Sequence, residues 1–223
     1  MPADSADNSA APVAVTFARP EESGAFRRKL GSLRKDTCGV LTAWRGHIGN
    51  VTVTVVHTGI GPASAAHAIR ELLAHEKPRK VISAGFAGGL DPTLRVGDTI
   101  TADFPGAPIL SRATPIETPA EKIAAFRETG ARLVDMETAT LADACAGAGV
   151  PLVSVRAVSD SADQFLPVPF GTWFDMRRQR ARPFALVLHL LRHPSHIAPF
   201  ARFVSRLPRV SEALAQAIEA ALR

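Results

Sequence analysis

The sequence predicts a single α/β domain with three layers, helices on both sides of a central mixed and twisted sheet, and a helical C-terminal extension. Apolar runs of strand length alternate with helical patterns up to Phe170, after which the pattern is helical to the end. A chain of 223 residues, 46% of them hydrophobic, is long enough to bury one substantial core. We expect a disordered tail over 1–11, an α/β domain over 12–170, and a basic helical extension over 171–223 that packs on the same domain.

The first part of the chain predicts three strands and two helices. The run VAVTFA (13–18) is a strand, and a helix follows near EESGAFRRKLGSL (21–33). GVLTAWRG and NVTVTVVHTG, joined through HIGN, predict antiparallel strands, which make the sheet mixed. Pro62 begins the next helix, where its missing N–H costs no hydrogen bond.

The second half continues the alternation. KVISAG (80–85) is a buried strand that runs into GFAGGL, GDTITADF is another strand, and PLVSVRAVSD (151–160) is the last clear one. TPAEKIAAFRETG has the features of a capped helix, with Thr118 as N-cap, a glutamate three residues on, and Gly130 at its end. LVDMETATLADACAGAGV predicts a strand that feeds a helix.

Positive charge is concentrated near the C-terminus. The net charge is +5 and the pI about 9.9, but residues 176–211 hold eight arginines and no acid, and the remainder is slightly acidic. A uniformly basic surface for nucleic acid is therefore excluded, and the partner of the basic segment should be local.

Cys38 and Cys145 are the only cysteines and lack metal-ligand spacing, so we expect reduced thiols in a cytoplasmic protein. No signal peptide or membrane-spanning run is present in the sequence. His189, His193 and His196 lie close together, but Pro194 interrupts them, and we expect no metal site.

Glycine-rich segments follow two predicted strands, as HTGIGP and AGFAGG. Ligands of α/β sheets bind beyond the carboxyl ends of strands, and glycine lets the backbone approach them. Tight turns without a ligand are the alternative. Neither a G-x-G-x-x-G nor a G-K-[ST] pattern is present, so no dinucleotide cofactor or P-loop is indicated, and a small ligand fits better.

Four carboxylates occupy strand ends: Glu22, Asp135, Glu137 and Asp160. Each has a structural alternative. Glu22 could be a first-turn helix acid, Asp135 or Glu137 a partner of a helix dipole, and Asp160 an N-cap or an ion partner of Arg156. Taken together, the four acids favour a ligand crevice at the carboxyl ends of the predicted strands.

Four ordered blocks carry a family resemblance: VVHTGIGPASAA, VISAGFAGGLDPTLRVGDTI, LVDMETATLADACAGAGVP and VSVRAVSDSAD. They resemble the signature stretches of the nucleoside phosphorylases and methylthioadenosine/S-adenosylhomocysteine nucleosidases. The compact segment before residue 137 and the basic C-terminal segment are more similar to the hopanoid-associated phosphorylase branch.

The resemblance implies roles for the acids. Glu137 accepts hydrogen bonds from the ribose hydroxyls while Met136 packs on the sugar, and a carboxylate suits this because it accepts from two neighbouring hydroxyls. Asp160, beside Ser159, protonates the departing purine. Glu22 orients the attacking water, with Glu21 adjacent, and Asp135 caps the following helix. The strand-end residues expected to bind substrate are Gly61, Ala84, Gly85, Phe86, Ala87 and Gly88.

The nucleophile is left open between water and phosphate. Phosphorylases of the family commonly use an arginine and a serine or threonine near the strand in which this chain has Ser83 and Phe86, so we favour water. Apart from inorganic phosphate as a co-substrate, no cofactor is expected. The shortened middle segment lacks much of the part that supplies an aromatic contact to the base.

The C-terminal segment suggests a substrate. Arginines alternate with Phe184, Leu191, Phe200 and other apolar residues, which favours either peripheral membrane contact through 176–211 or two helices packed on the domain. We expect hydrolysis of an adenine nucleoside, with adenosylhopane as the leading candidate and a homodimer as the family's assembly. The alternatives are a purine nucleoside phosphorylase, a methylthioadenosine/S-adenosylhomocysteine nucleosidase, or a catalytically weak nucleoside-binding, membrane-associated module.

Overall fold

The computed structural model describes residues 11–104, 106 and 108–223, so nearly all of the predicted N-terminal tail lies outside the described residues. Within them, a nine-stranded mixed sheet carries helices on both faces, and a two-stranded hairpin lies apart from it. The predicted three-layer α/β fold is confirmed.

The elements follow one another in the order that the sequence predicts, with additions. The strands are β1 (Val13–Phe17), β2 (Gly31–Cys38), β3 (Leu41–Ile48), β4 (Val51–His57), β5 (Lys80–Gly89), β6 (Thr99–Asp103), β7 (Ile109–Ser111), β8 (Leu133–Asp135), β9 (Leu152–Asp160), β10 (Phe174–Asp175) and β11 (Arg180–Ala181). The helices are α1 (Pro20–Lys29), α2 (Pro62–His75), α3 (Pro119–Thr129), α4 (Thr138–Gly147), α5 (Phe170–Trp173), α6 (Pro183–Arg192), a 3-10 turn (Pro194–His196) and α7 (Ile197–Ala221).

Strand β5 is the centre of the sheet. It pairs in parallel with β1 and β9, and its last two residues pair antiparallel with β8. β4 pairs in parallel with β1, and β3 and β2 extend that side as antiparallel strands. The carboxyl ends of β1, β5 and β9 therefore meet at one edge, where a ligand of an α/β sheet binds.

The core has two halves, one on each face of the sheet. On one face α1 and the C-terminal part of α7 bury Phe26, Leu214 and Ile218 completely. On the other, α2 and α4 bury Ile69 and Leu141. Each such side chain stabilises the fold by roughly 1.5–3 kcal/mol. The end of α7 is thus a structural part of the third layer.

Three local predictions need correction, and one is confirmed. The first helix ends at Lys29, and the chain then forms β2, an edge strand whose mostly exposed residues lack apolar alternation. β5 continues through the glycines to Gly89, and the β10–β11 hairpin interrupts the predicted helical C-terminus. The capping box of Thr118 and Glu121 is present, and Gly130 ends α3 in the left-handed conformation.

Candidate active site

A pocket of about 220 Å³ opens at the carboxyl ends of β5 and β9. Eight of the eleven predicted site residues line it, and they come from α1, β5, β9 and the junction between β8 and α4. They are Glu22, Phe86, Ala87, Gly88, Met136, Glu137, Ser159 and Asp160. The sheet therefore brings together acids as distant in the sequence as Glu22 and Asp160.

Gly61, Ala84 and Gly85 do not line this pocket. Gly61 supports it indirectly, because its N–H donates to Glu137 Oε1 at 2.6 Å, and its φ of 87° is one that glycine adopts readily. Ala84 and Gly85 line a smaller cavity below. A Cβ on Gly85 would lie 3.3 Å from Glu22 Oε1, so glycine at this position gives the carboxylate room.

Glu137 immediately precedes α4, and its side chain turns into the pocket instead of capping the helix. Burial, together with the charge of Asp135, raises the pKa of Glu137 to about 7. Its Oε1 is bound to the Gly61 amide, whereas Oε2 has no hydrogen-bond partner among the described residues. The free oxygen can accept from hydroxyl groups of a ligand.

Glu22 is fixed at the first turn of α1. One carboxylate oxygen accepts from the amide of Arg19 and the other from the amide of Phe86, both at 3.0 Å. Burial raises the pKa of Glu22 above its ordinary value. Glu21 points away and forms an ion pair with the Arg19 side chain. Of the two adjacent acids, only Glu22 lies at the pocket.

Asp160 is buried at the end of β9, and its ion partner is Lys122 of α3, not Arg156 as the structural alternative supposed. Lys122 is completely buried and also donates to the carbonyls of Ser161 and Gln164, at 3.0 and 2.8 Å. Ser159 Oγ donates to Asp160 Oδ1 at 2.6 Å. These contacts hold the carboxyl group in one orientation at the pocket wall.

Arg156 and Asp135 form a second buried pair under the pocket. Arg156 Nη2 lies 2.8 Å from Asp135 Oδ2, and the guanidinium also donates to the hydroxyl groups of Ser83 and Thr138. Asp135 accepts from the Thr138 amide, so it supports the start of α4 as predicted. Arg156 is 2% exposed, and each of its three guanidinium nitrogens donates to at least one carboxylate, carbonyl or hydroxyl oxygen.

A cavity of about 10 Å³ lies between this pair and Glu22. That volume suits one water molecule. Thr16 lines this cavity. Its Oγ1 is buried and has no hydrogen-bond partner among the described residues. Burying an unpaired hydroxyl costs free energy, which a water molecule would recover.

Comparison with known proteins identifies the family. Residues 12–104 and 106–192 match the family model of the phosphorylase superfamily, which is well over half of the chain. The chain belongs to the phosphorylase superfamily. The resemblance that the four sequence blocks carry is therefore confirmed, and with it the prediction that the chain is an enzyme of this family.

Solved structures similar to this superfamily member share its fold over almost its full length. A methylthioadenosine/S-adenosylhomocysteine nucleosidase from S. pneumoniae is 20% identical, with 95% of this chain and 98% of that one covered and a TM-score of 0.69. Its counterpart from Neisseria meningitidis is 19% identical, covering 94% and 99%, with a TM-score of 0.66. Futalosine hydrolase of Helicobacter pylori is 17% identical, covering 95% and 97%, with a TM-score of 0.68.

This superfamily member also has site residues that sequence reasoning missed. Aromatic side chains from the C-terminal segment wall the pocket, namely Phe170, Trp173, Phe200 and Phe203. Arg19 also lines it, and its guanidinium lies 5.8 Å from the centre of the Trp173 ring. The aromatic sequence FGTWF (170–174) was the available signal. Lys122 gave no such signal in the sequence, because a lysine within a helix normally faces solvent.

Proposed function

We propose that this protein hydrolyses the N-glycosidic bond of a purine nucleoside. The observation that carries the proposal is the convergence of Glu22, Glu137 and Asp160 on one pocket with an aromatic wall. N-glycosidic cleavage generates positive charge on the sugar and negative charge on the departing base. Carboxylates near the sugar stabilise the first, and a placed acid neutralises the second.

We assign one role to each acid. Glu137 binds the sugar hydroxyls through its free oxygen, and its ionised form stabilises the cationic sugar. Asp160, oriented by Ser159 and Lys122, takes up a proton from solvent and passes it to the base as the bond between carbon and nitrogen breaks and its electron pair moves to the base. Glu22 accepts a proton from the water whose oxygen bonds to the sugar carbon.

Water fits the nucleophile position better than phosphate does. Arg156, the nearest buried cation, already has acceptors on all three nitrogens. The cavity beside Glu22 has room for about one water molecule. A carboxylate at that cavity repels phosphate and favours a polarised water. Phosphorolysis remains the alternative activity, with inorganic phosphate as co-substrate.

The apolar walls support an adenine nucleoside with a bulky apolar 5′ group, and adenosylhopane is the leading candidate. Phe203, Leu166 and Pro167 line both the active-site pocket and an adjoining cleft of about 570 Å³, which gives space beyond the sugar site. A second candidate is methylthioadenosine or S-adenosylhomocysteine, which the nucleosidases of similar fold are named for. A nucleoside-binding module without turnover is the third.

We also propose a homodimer in the cytoplasm, an assembly that the family resemblance supports. Among the described residues, no helix has both the length and the hydrophobicity needed to cross a bilayer. Light scattering on the purified protein tests the assembly, and a monomeric mass at all accessible concentrations would refute it.

The proposal is tested by comparing the parent protein with Asp160→Asn. Asparagine keeps the size of the side chain but cannot donate the acid proton, so adenine release should fall by about 10²–10⁴-fold. Asp143→Asn, an exposed change on α4, is the matched control and should leave the rate unchanged. Turnover of Asp160→Asn within a few-fold of the parent would remove Asp160 from this role.

A further inference from the structure

Helix α6 turns its apolar side chains towards solvent. Phe184, Val187, Leu188 and Leu191 are 89, 56, 46 and 70% exposed, and their spacing places them on one face of the helix. No residue of α6 is buried. An amphipathic helix normally packs such a stripe against the core, so this orientation indicates a binding partner beyond the described residues.

The first half of α7 also exposes apolar side chains. Ile197 and Val204, 47 and 45% exposed, lie seven residues apart and hence on one face, and the first buried residue of the helix is Val210. Phe200, three residues after Ile197 and four before Val204, lies on the same face, and together with Phe203 it lines the active-site pocket. We call the six exposed side chains on α6 and α7 the apolar stripe.

The segment that holds the apolar stripe is also rich in arginine. All eight arginines of residues 176–211 are exposed, and none forms an ion pair with a carboxylate of the described residues: Arg177, Arg178, Arg180, Arg182, Arg192, Arg202, Arg206 and Arg209. The same segment contains no acid. A surface that is both apolar and positively charged matches the interface of an anionic lipid bilayer, where acyl chains lie beneath charged headgroups.

We propose that the apolar stripe and its arginines dock the protein peripherally on a bilayer containing anionic lipid. A second copy of the chain fits this surface less well. A symmetric interface would bring two arginine-rich segments against each other, and like charges at an interface oppose association. An acidic bilayer supplies both the missing negative charge and the apolar phase.

Docking in this orientation brings the active site to the membrane. On α7, the exposed Ile197 and Val204 lie next to Phe200, which together with Phe203 walls the pocket. Arg202 and Arg206 line the adjoining cleft. This step rests on the proposed function: a nucleoside with a lipid-like 5′ group could enter the pocket without leaving the bilayer completely.

Vesicle co-sedimentation tests the docking without any enzymatic step. We expect the protein to bind vesicles of phosphatidylcholine with phosphatidylglycerol, and to bind pure phosphatidylcholine much more weakly. Phe184→Ser with Leu191→Ser should lower the partition coefficient about tenfold or more. Arg202→Ala and Arg206→Ala should each lower it about fivefold at low salt. The exposed residues Val40 and Arg70 supply matched controls, Val40→Ser and Arg70→Ala, which should bind like the parent.

Two results would overturn the proposal. The first is absence of binding to anionic vesicles, or binding that the stripe variants do not reduce. The second is a dimer that Phe184→Ser with Leu191→Ser converts to monomer, because the stripe would then be an interface between copies. Cleavage of adenosine or methylthioadenosine in solution is a separate readout. Inactive protein that still binds vesicles refutes the proposed function and not the docking.

Discussion

Replacing Glu137 by glutamine separates the contribution of this residue to function from its cost to stability. Glutamine has the same shape and keeps an oxygen for the Gly61 amide, which donates to Glu137 Oε1 at 2.6 Å. It cannot ionise, however, and so removes the negative charge next to the sugar site. We expect Glu137→Gln to be more stable than the parent at alkaline pH and much less active.

The magnitude follows from the pKa of Glu137, which burial and the charge of Asp135 raise from 4.5 to about 7. A raised folded-state pKa means that the folded protein binds the proton more tightly than the unfolded chain. Ionisation therefore costs stability as the pH rises from about 4.5 through 7. The full difference corresponds to about 3 kcal/mol as an upper bound. Glu137→Gln avoids this cost above about pH 8, and its advantage disappears as the pH falls towards 4.5.

The assay is thermal and urea unfolding of both proteins across this pH range. A gain of about 3 kcal/mol raises Tm by about 6–12 °C in a protein of this size. Glu128→Gln, an exposed change on α3, is the matched control and should shift neither stability nor its pH dependence. Equal stability of Glu137→Gln and the parent at every pH would refute the claim that ionising the buried Glu137 carboxyl group, next to the charge of Asp135, costs stability.

Three further outcomes are expected. kcat/KM should rise with pH through an apparent pKa of about 7 as Glu137 ionises, and a profile flat between about pH 6 and 8 would contradict this. Lys122→Met should lower the free energy of unfolding by about 3–5 kcal/mol because it leaves Asp160 buried without its partner. The double variant, Lys122→Met with Asp160→Asn, should regain much of this lost stability, as measured by urea titration. No recovery would mean that the broken ion pair is not the cause of the loss. Gly85→Ala should lower kcat with little loss of stability, since the new methyl group meets Glu22 Oε1; an unchanged kcat would separate Glu22 from the reaction.

The sequence predicted the alternating elements because buried strands such as β9 are mostly apolar, and because Thr118 and Gly130 are residue types that begin and end helices. It failed at β2, where an exposed edge strand has no alternation to detect. Pattern alone also could not show that the end of the basic C-terminal segment belongs to the core. That depends on contacts between α7 and β9, which are distant in sequence.

The acids at strand ends were predictable, since the carboxyl ends of parallel strands share one edge of a sheet. Their partners were not. The pairing of Lys122 with Asp160 joins a helix and a strand 38 residues apart, and nothing in either segment marks it. The aromatic wall could not be predicted either. From sequence alone, Phe200 and Phe203 suit an amphipathic surface helix as well as they suit a pocket wall.

Phosphate dependence of adenine release tests the central claim most directly. The purified protein is incubated with adenosine, methylthioadenosine and adenosylhopane, each with and without inorganic phosphate, and free adenine is measured by chromatography. The cavity beside Glu22 and the occupied guanidinium of Arg156 predict release that does not depend on phosphate, with free sugar as the second product. Release that requires phosphate and yields a sugar phosphate would contradict the hydrolytic assignment, and no release from any of the three would favour a binding module.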